Sequence, residues 1–149
     1  MAVSAVQRVA DELEIRNLIA RLSQLADTAT DDELDDYLDL FTEDATWAVL
    51  ADNNALSTQE RRGRVEILEG ARERRAEGIQ GPGTHTRHVV STIVVAFEND
   101  DTAHARCYWH YYTDCSSGAP ILALMGEYRN TVVRTVQGWK LARRELIPG

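Results

Sequence analysis

From residue 84 onward the chain is a succession of four long strand-forming runs, and no other feature constrains the fold as much. Residues 84–97, 102–114, 121–135 and 139–147 are separated by Asn99-Asp-Asp, Ser116-Ser-Gly-Ala-Pro and Val136-Gln-Gly. Val, Ile and Thr dominate the first run, and branched side chains suit a pleated surface better than a helix. Turns this short join antiparallel neighbours. The segment therefore predicts an antiparallel meander, one face of which other elements must cover.

The first half supplies the cover. Val6, Val9, Leu13, Ile15, Leu18, Ile19, Leu22 and Leu25 recur at helical spacing over residues 4–26, with Ser4 as N-cap. Thr30 or Asp31 opens a second helix to about residue 41, striped by Leu34, Tyr37, Leu38 and Phe41. Thr42-Glu-Asp-Ala reads as a turn, residues 46–50 as a short strand and residues 51–62 as a polar loop. A third helix follows over residues 64–77 with Val65, Ile67, Leu68 and Ala71 inward. Its Arg72, Arg74 and Arg75 read as a solvated face. Three helices ahead of a hairpin-linked sheet give one α+β domain over residues 1–149.

Charge narrows the partners. A net charge of −8 lacks the cationic surface that nucleic acid requires, and it argues equally against anionic membranes. No apolar run reaches the ~20 residues of a transmembrane helix. The first residues lack the basic start and apolar block of a secretory signal. Cys107 and Cys115 lie on one predicted strand, too far apart for a disulfide at ~3.3 Å per residue. Two free thiols point to a reducing compartment, and so to the cytoplasm. Neither Cys-x-x-Cys, His-x-x-x-His nor a glycine-rich phosphate loop occurs, so no metal or cofactor is expected.

Strict alternation assigns the faces of the strands. It puts His88, Val90, Thr92 and Val94 on one side of the first run, with His85 and Arg87 on the other. In the second run Ala103, Ala105, Cys107, Trp109, Tyr111 and Thr113 form the more apolar side. Tyr108, His110 and Tyr112 share the opposite side with His104, and exposed aromatics there indicate subunit contact. Gly126, Tyr128, Asn130, Val132 and Arg134 align on the third run, where a buried Asn and Arg need partners. The fourth run alternates more weakly.

Four local patterns, in this order, carry a resemblance. They are Leu38-Asp-Leu-Phe-Thr-Glu-Asp-Ala-Thr-Trp47, Gly63-Arg-Val-Glu-Ile-Leu68, Thr86-Arg-His-Val-Val-Ser91 and Gly126-Glu-Tyr-Arg-Asn-Thr-Val-Val-Arg-Thr-Val-Gln-Gly-Trp-Lys-Leu141. With the element order, they resemble SnoaL-like proteins of the nuclear-transport-factor-2-like superfamily. The nearest branch is that of scytalone dehydratase and hexachlorocyclohexane dehydrochlorinase. The resemblance implies a conical cup, a strongly curved and mainly antiparallel sheet closed on its narrow side by helices, around a mostly apolar cavity. It implies a histidine on the strand after the third helix, working with an aspartate at the end of the first. His88 and Asp27 stand at those positions. Trp47 matches an aromatic cavity residue, and Trp109 and Tyr111 fall on cavity-lining positions. The chain departs from the dehydratase in placing His110 on the opposite face. It departs from the dehydrochlorinase in having no lysine in the first helix, Lys140 being its only one.

The chemistry of such a pair is specific. Imidazole ionises near pH ~6.5 and suits proton abstraction at neutral pH. An aspartate on one ring nitrogen fixes the tautomer and stabilises the imidazolium. The expected reaction is removal of an activated C–H proton from a small hydrophobic, cyclic metabolite, then elimination, double-bond migration or ring closure. Tyr37, Tyr128, Asn130 and Arg134 are available to bind or protonate a leaving group or enolate. The alternative is a non-catalytic ligand-binding or assembly module, resembling the small subunit of a ring-hydroxylating dioxygenase. Relatives cover the open face of the sheet with another subunit, so a homo-oligomer, dimer or trimer, is expected.

Overall fold

The computed structural model describes residues 2–50 and 57–149. Ser4 caps helix α1 (Ala5–Thr28), its hydroxyl accepting the Gln7 backbone N–H at 3.1 Å. Two apolar stripes run along α1, and only one is buried. Ile15, Leu18, Ile19, Leu22 and Leu25 pack into the core, whereas Val6, Val9 and Leu13, expected to join them, are exposed. Leu13 and Ile15 are two residues apart, about 200° around the helix, so one surface cannot bury both. At the N-terminal end the inward position on the Ile15 side belongs to Asp11, which is fully buried.

After a single 3₁₀ turn (Asp31–Glu33), helix α2 (Leu34–Leu38) ends three residues short of the expected limit. Phe41 opens strand β1 (Phe41–Leu50) instead, because the last strand captures it. Leu141 donates its N–H to the Leu40 carbonyl at 2.8 Å, and Phe41 pairs with Leu141. The turn expected at Thr42-Glu-Asp-Ala is the stretch where this pairing slips register. Of the loop expected over residues 51–62, residues 51–56 lie outside the described residues, and β2 (Ser57–Arg62) is a strand antiparallel to β1. It lies at the sheet edge, where polar residues guard an open flank.

Helix α3 (Gly63–Ala76) buries Ile67, Gly70 and Ala71, but Val65, expected inward, faces solvent. Its arginines do not form one solvated face. Arg75 reaches the last carbonyls of α1, with Nη1 2.5 Å from the Ala29 oxygen, and the Arg74 guanidinium lies 4.7 Å over the Trp47 ring.

The remaining strands are β3 (Arg87–Phe97), β4 (Thr102–Thr113), β5 (Ile121–Thr135) and β6 (Gly138–Pro148). They complete a six-stranded sheet in the order β2-β1-β6-β5-β4-β3. Every pairing is antiparallel except β1 with β6. The result is the expected α+β architecture: a curved, mainly antiparallel sheet whose concave side receives the three helices around Ile19, Leu22, Phe41, Ile67, Val132 and Leu141. No helix among the described residues is long and apolar enough to cross a membrane.

Among the register slips of the sheet, one in β3 and one in β6 reset the expected alternation of side chains. In β3 the register slips between Ser91 and Val94, and Thr92 takes a left-handed φ of 54°. His88 and Val90 face inward before it; Ile93, Val95 and Phe97 do so after it. Thr92 and Val94, expected beside His88, are therefore exposed. In β6, Thr131 pairs with Arg143 and Val132 with Leu141, which leaves Ala142 as an extra residue. Trp139 and Leu141 are buried on one side of it, and Arg144 on the other. This bulge is why the last run alternates weakly.

Candidate active site

Between the helices and the concave face of the sheet lies a cavity of about 220 Å³. Of the residues expected there, Tyr37, Trp47, His88, Trp109, Tyr111 and Tyr128 line it. Leu22, Ala26 and Leu146 make much of the remaining wall apolar.

Asp27 sits in the last turn of α1, where the helix dipole disfavours a carboxylate. Two contacts offset that cost. Arg75, from α3, covers the carbonyl end of the helix and bonds Leu25, Ala26 and Ala29. The carboxylate itself is engaged at both oxygens by one residue 61 positions away: Oδ2 accepts the His88 backbone N–H at 2.8 Å, and Oδ1 lies 2.7 Å from His88 Nδ1. The Asp27 side chain is 3% exposed and that of His88 13%. A left-handed kink at His85 (φ 55°) turns the chain into β3 just before this point. The His85 carbonyl accepts the Cys115 N–H at 2.9 Å, so His85 has a backbone role.

Strand register sets the rest. Tyr111 lies opposite His88 on β4, the two rings 5.2 Å apart, and its hydroxyl donates to the Ile79 carbonyl at 2.6 Å. Burial holds that hydroxyl above the usual phenol range. Trp109 stacks on Tyr128 with centroids 5.7 Å apart, and its indole lies over Gly126. A Cβ at Gly126 would stand 2.3 Å from the Ile147 carbonyl oxygen and 2.6 Å from Trp109 Nε1, so only glycine fits there. Burial pushes the Tyr128 hydroxyl up to about 12. Tyr37 meets Phe41 edge-on at 5.2 Å.

Two expected site residues stand elsewhere. Arg134 is at the far end of β5, where it bonds Asp11 through Nη1 and Nη2 at 3.0 and 2.7 Å and stacks on Trp139. It pins the start of α1 to the sheet. Asn130 is buried behind the cavity wall, its Nδ2 donating to the Ala105 carbonyl and its Oδ1 accepting Arg144 Nε at 2.8 Å.

Arg144 itself escapes a strict alternation reading, because the Ala142 bulge turns it inward. Its guanidinium carbon lies 3.9 Å over the Tyr128 ring. The one sequence signal for it was the partner that a buried Asn130 demands. Arg74 and Gln80, which share a hydrogen bond of 3.2 Å, also line the cavity and were missed.

Comparison with known proteins follows the same outline. Among curated proteins none matches significantly. An NTF2-like protein of cystatin-like fold from Novosphingobium aromaticivorans is 27% identical, over 96% of this chain and 84% of that one, with a TM-score of 0.76. A candidate scytalone dehydratase from the same organism is 20% identical, over 98% and 89% of the two chains, with a TM-score of 0.71. The β subunit of a candidate aromatic-ring-hydroxylating dioxygenase, again from that organism, is 19% identical, over 96% and 91%, with a TM-score of 0.72. At 20% and 19%, the last two likenesses concern the fold alone. The family model for the SnoaL-like domain, by contrast, matches residues 7–145. With that span and this curved sheet, the chain belongs to the SnoaL-like family of the NTF2-like superfamily.

Proposed function

We propose that the protein is a cofactor-independent lyase or isomerase in which His88 removes a proton from carbon in a small hydrophobic, cyclic molecule. The observation that carries this reading is Asp27 holding His88 through both carboxylate oxygens at the wall of a largely apolar cavity. A carboxylate only accepts, so the shared proton sits on Nδ1 and the lone pair on Nε2. Nε2 has no hydrogen-bond partner among the described residues. When Nε2 takes the proton, the C–H electron pair forms a new C=C bond. The displaced pair moves onto a conjugated oxygen, giving an enolate, or departs with a substituent on the next carbon. Departure is elimination; reprotonation at a different carbon is isomerisation; attack of the enolate carbon on a second carbonyl is ring closure. Asp27 stabilises the imidazolium, and the low-dielectric surroundings strengthen that pairing. The fold shared with a candidate scytalone dehydratase supports this class of chemistry.

Hydrogen–deuterium exchange tests it without knowledge of the natural substrate. In D₂O with a panel of small cyclic ketones, proton NMR should show the native protein washing deuterium into a carbon next to a carbonyl. His88→Ala should slow this by about 10²–10⁴-fold, and Asp27→Asn by a smaller factor, with unchanged circular dichroism. Undiminished exchange in both variants would sink the dyad.

A second reading, an assembly or ligand-binding module, draws on the outer face of the sheet. Val89, His110 and Met125 stand in register across β3, β4 and β5, with Tyr108 beside them. Val89, Tyr108 and Met125 are between 44% and 49% exposed. Stable co-purification with a larger catalytic chain would favour this reading. The same face suits a second copy of the chain, and homo-oligomerisation is proposed on that ground.

A further inference from the structure

We infer that Arg75, which does not line the cavity, is a positioning residue that holds Asp27 within reach of His88, and that Thr84 steadies His88 from the loop lying against Arg75. As a statement about geometry this stands alone; for turnover it rests on the function proposed above.

Asp27 stands in the last turn of α1, and helix ends fray. That turn has no basic residue of its own to meet the negative end of the helix dipole. Arg75 supplies the charge from α3. Its side chain is 10% exposed, and its guanidinium donates to three carbonyls of one helix end: Ala29 at 2.5 Å, and Leu25 and Ala26 at 3.3 Å. A guanidinium presents its donors in a rigid plane. Three acceptors on one such plane fix the height and rotation of the turn that carries Asp27. The Asp31 carboxylate, 3.8 Å away, is 82% exposed, so its attraction is too well screened to explain why the cation is buried there.

The other half of the pair is held from the same place. Gly81, with a φ of 103°, lies against Arg75, and a Cβ there would stand 3.1 Å from Arg75 Cγ and Nη1. The Gly81 carbonyl accepts the Thr84 hydroxyl at 2.7 Å, and that hydroxyl lies 2.8 Å from Thr86 Oγ1. Thr86 is buried two residues before His88. Arg75 therefore touches the end of α1 on one side and the loop entering β3 on the other.

Asp27 and His88 are thus referred to one guanidinium. The 2.7 Å contact between them leaves little room for displacement, since such hydrogen bonds span only ~2.7–3.2 Å. Arg75, Gly81, Thr84 and Thr86 are all absent from the cavity wall. A change at Arg75 or Thr84 accordingly reaches a bound molecule only through the pair, and it acts on kcat more than on KM. A misplacement of ~1 Å caused far from the chemistry can cost ~10²-fold in rate.

The test reads the Nδ1–H of His88 in the full-length protein. A proton held between two buried groups is shielded from water and resonates at unusually low field in proton NMR. The native protein should show this resonance, and His88→Gln should lack it. Arg75→Met should lose it or move it upfield with unchanged circular dichroism. It should also lower kcat for deuterium exchange into the fastest-exchanging cyclic ketone by about 10–10²-fold with little change in KM. Arg75→Lys, which keeps the charge without the planar fork, should recover part of both, and Thr84→Val should show a smaller loss of both. These two variants decide the matter if Arg75→Met does not fold. Arg72→Gln, which removes an exposed charge from the same helix, should change neither. A resonance that responds to Arg75 in a protein that exchanges no ketone would leave the positioning standing and remove the proposed reaction. The inference is overturned if the native protein lacks the resonance, if the Arg75 and Thr84 variants keep native resonance and kcat, or if Arg72→Gln reproduces their effect.

Discussion

Two carboxylates on α1, Asp11 and Asp27, are buried for different reasons. Asp11 bonds Arg134 and the Trp139 indole, and these hold the helix against β5 and β6. The Arg134 hydrogen bonds keep its carboxyl well below the usual range, against the opposing pull of burial. A carboxylate whose pKa is lowered by folding contributes its full stabilisation above its unfolded value. That contribution is then lost as pH falls toward the folded value. Asp11→Asn should therefore cost about 3 kcal/mol at neutral pH. It should also flatten the acid limb of the stability profile below pH ~4, as denaturant unfolding at several pH values would show. Asp27 and His88 were legible as a pair only through the family resemblance, which expects an aspartate at the end of the first helix and a histidine on the strand after the third. Arg144 was not, because nothing in the pattern of residues 139–147 marks Ala142 as a bulge.

At the level of elements, the bulges and the one close backbone approach shape the cavity. The slip in β3 lets His88 face the cavity while Ile93, Val95 and Phe97 still reach the core. The slip in β6 keeps Trp139 and Leu141 inside and brings Arg144 and Leu146 to the cavity wall. Strict two-residue alternation was sound on β4 and from Gly126 to Arg134 on β5, and it failed on β3 and β6, where the register slips. Gly126 marks where β5 passes beneath the Trp109 indole beside β6. Gly126→Ala should destabilise the fold by about 1–3 kcal/mol and disturb the Trp109–Tyr128 stack. Thermal unfolding reads the first effect and near-ultraviolet circular dichroism the second. A variant as stable as the native protein, with the stack unperturbed, would contradict the packing described.

At the scale of the molecule, helices fill one face of the sheet and leave the other partly apolar. Exposed Val89, Tyr108 and Met125 in adjacent strands argue for a covering subunit. Sedimentation at micromolar concentration should show an oligomer of the chain. Met125→Glu, which adds charge without touching the cavity, should shift it toward monomer with little change in circular dichroism. A native protein that sediments as a monomer would count against the proposal. The helix-then-meander order was readable because turn chemistry and periodicity are local. The polar edge strand β2 was not, since a strand whose flank faces solvent carries no apolar pattern.

By itself, the sequence determined the α+β class, the strand order from residue 84 onward, and which histidine faces the helices. Each of these follows from contacts between near neighbours in the chain. Only the tertiary structure decided that Asp27 meets His88, that Arg134 secures the helix and not the cavity, and that Arg144 and Arg74 line it. Those outcomes depend on where a bulge falls and on how far a helix end travels to a strand 61 residues later. Such distances are set by packing across the whole fold, and no local pattern of residues records them.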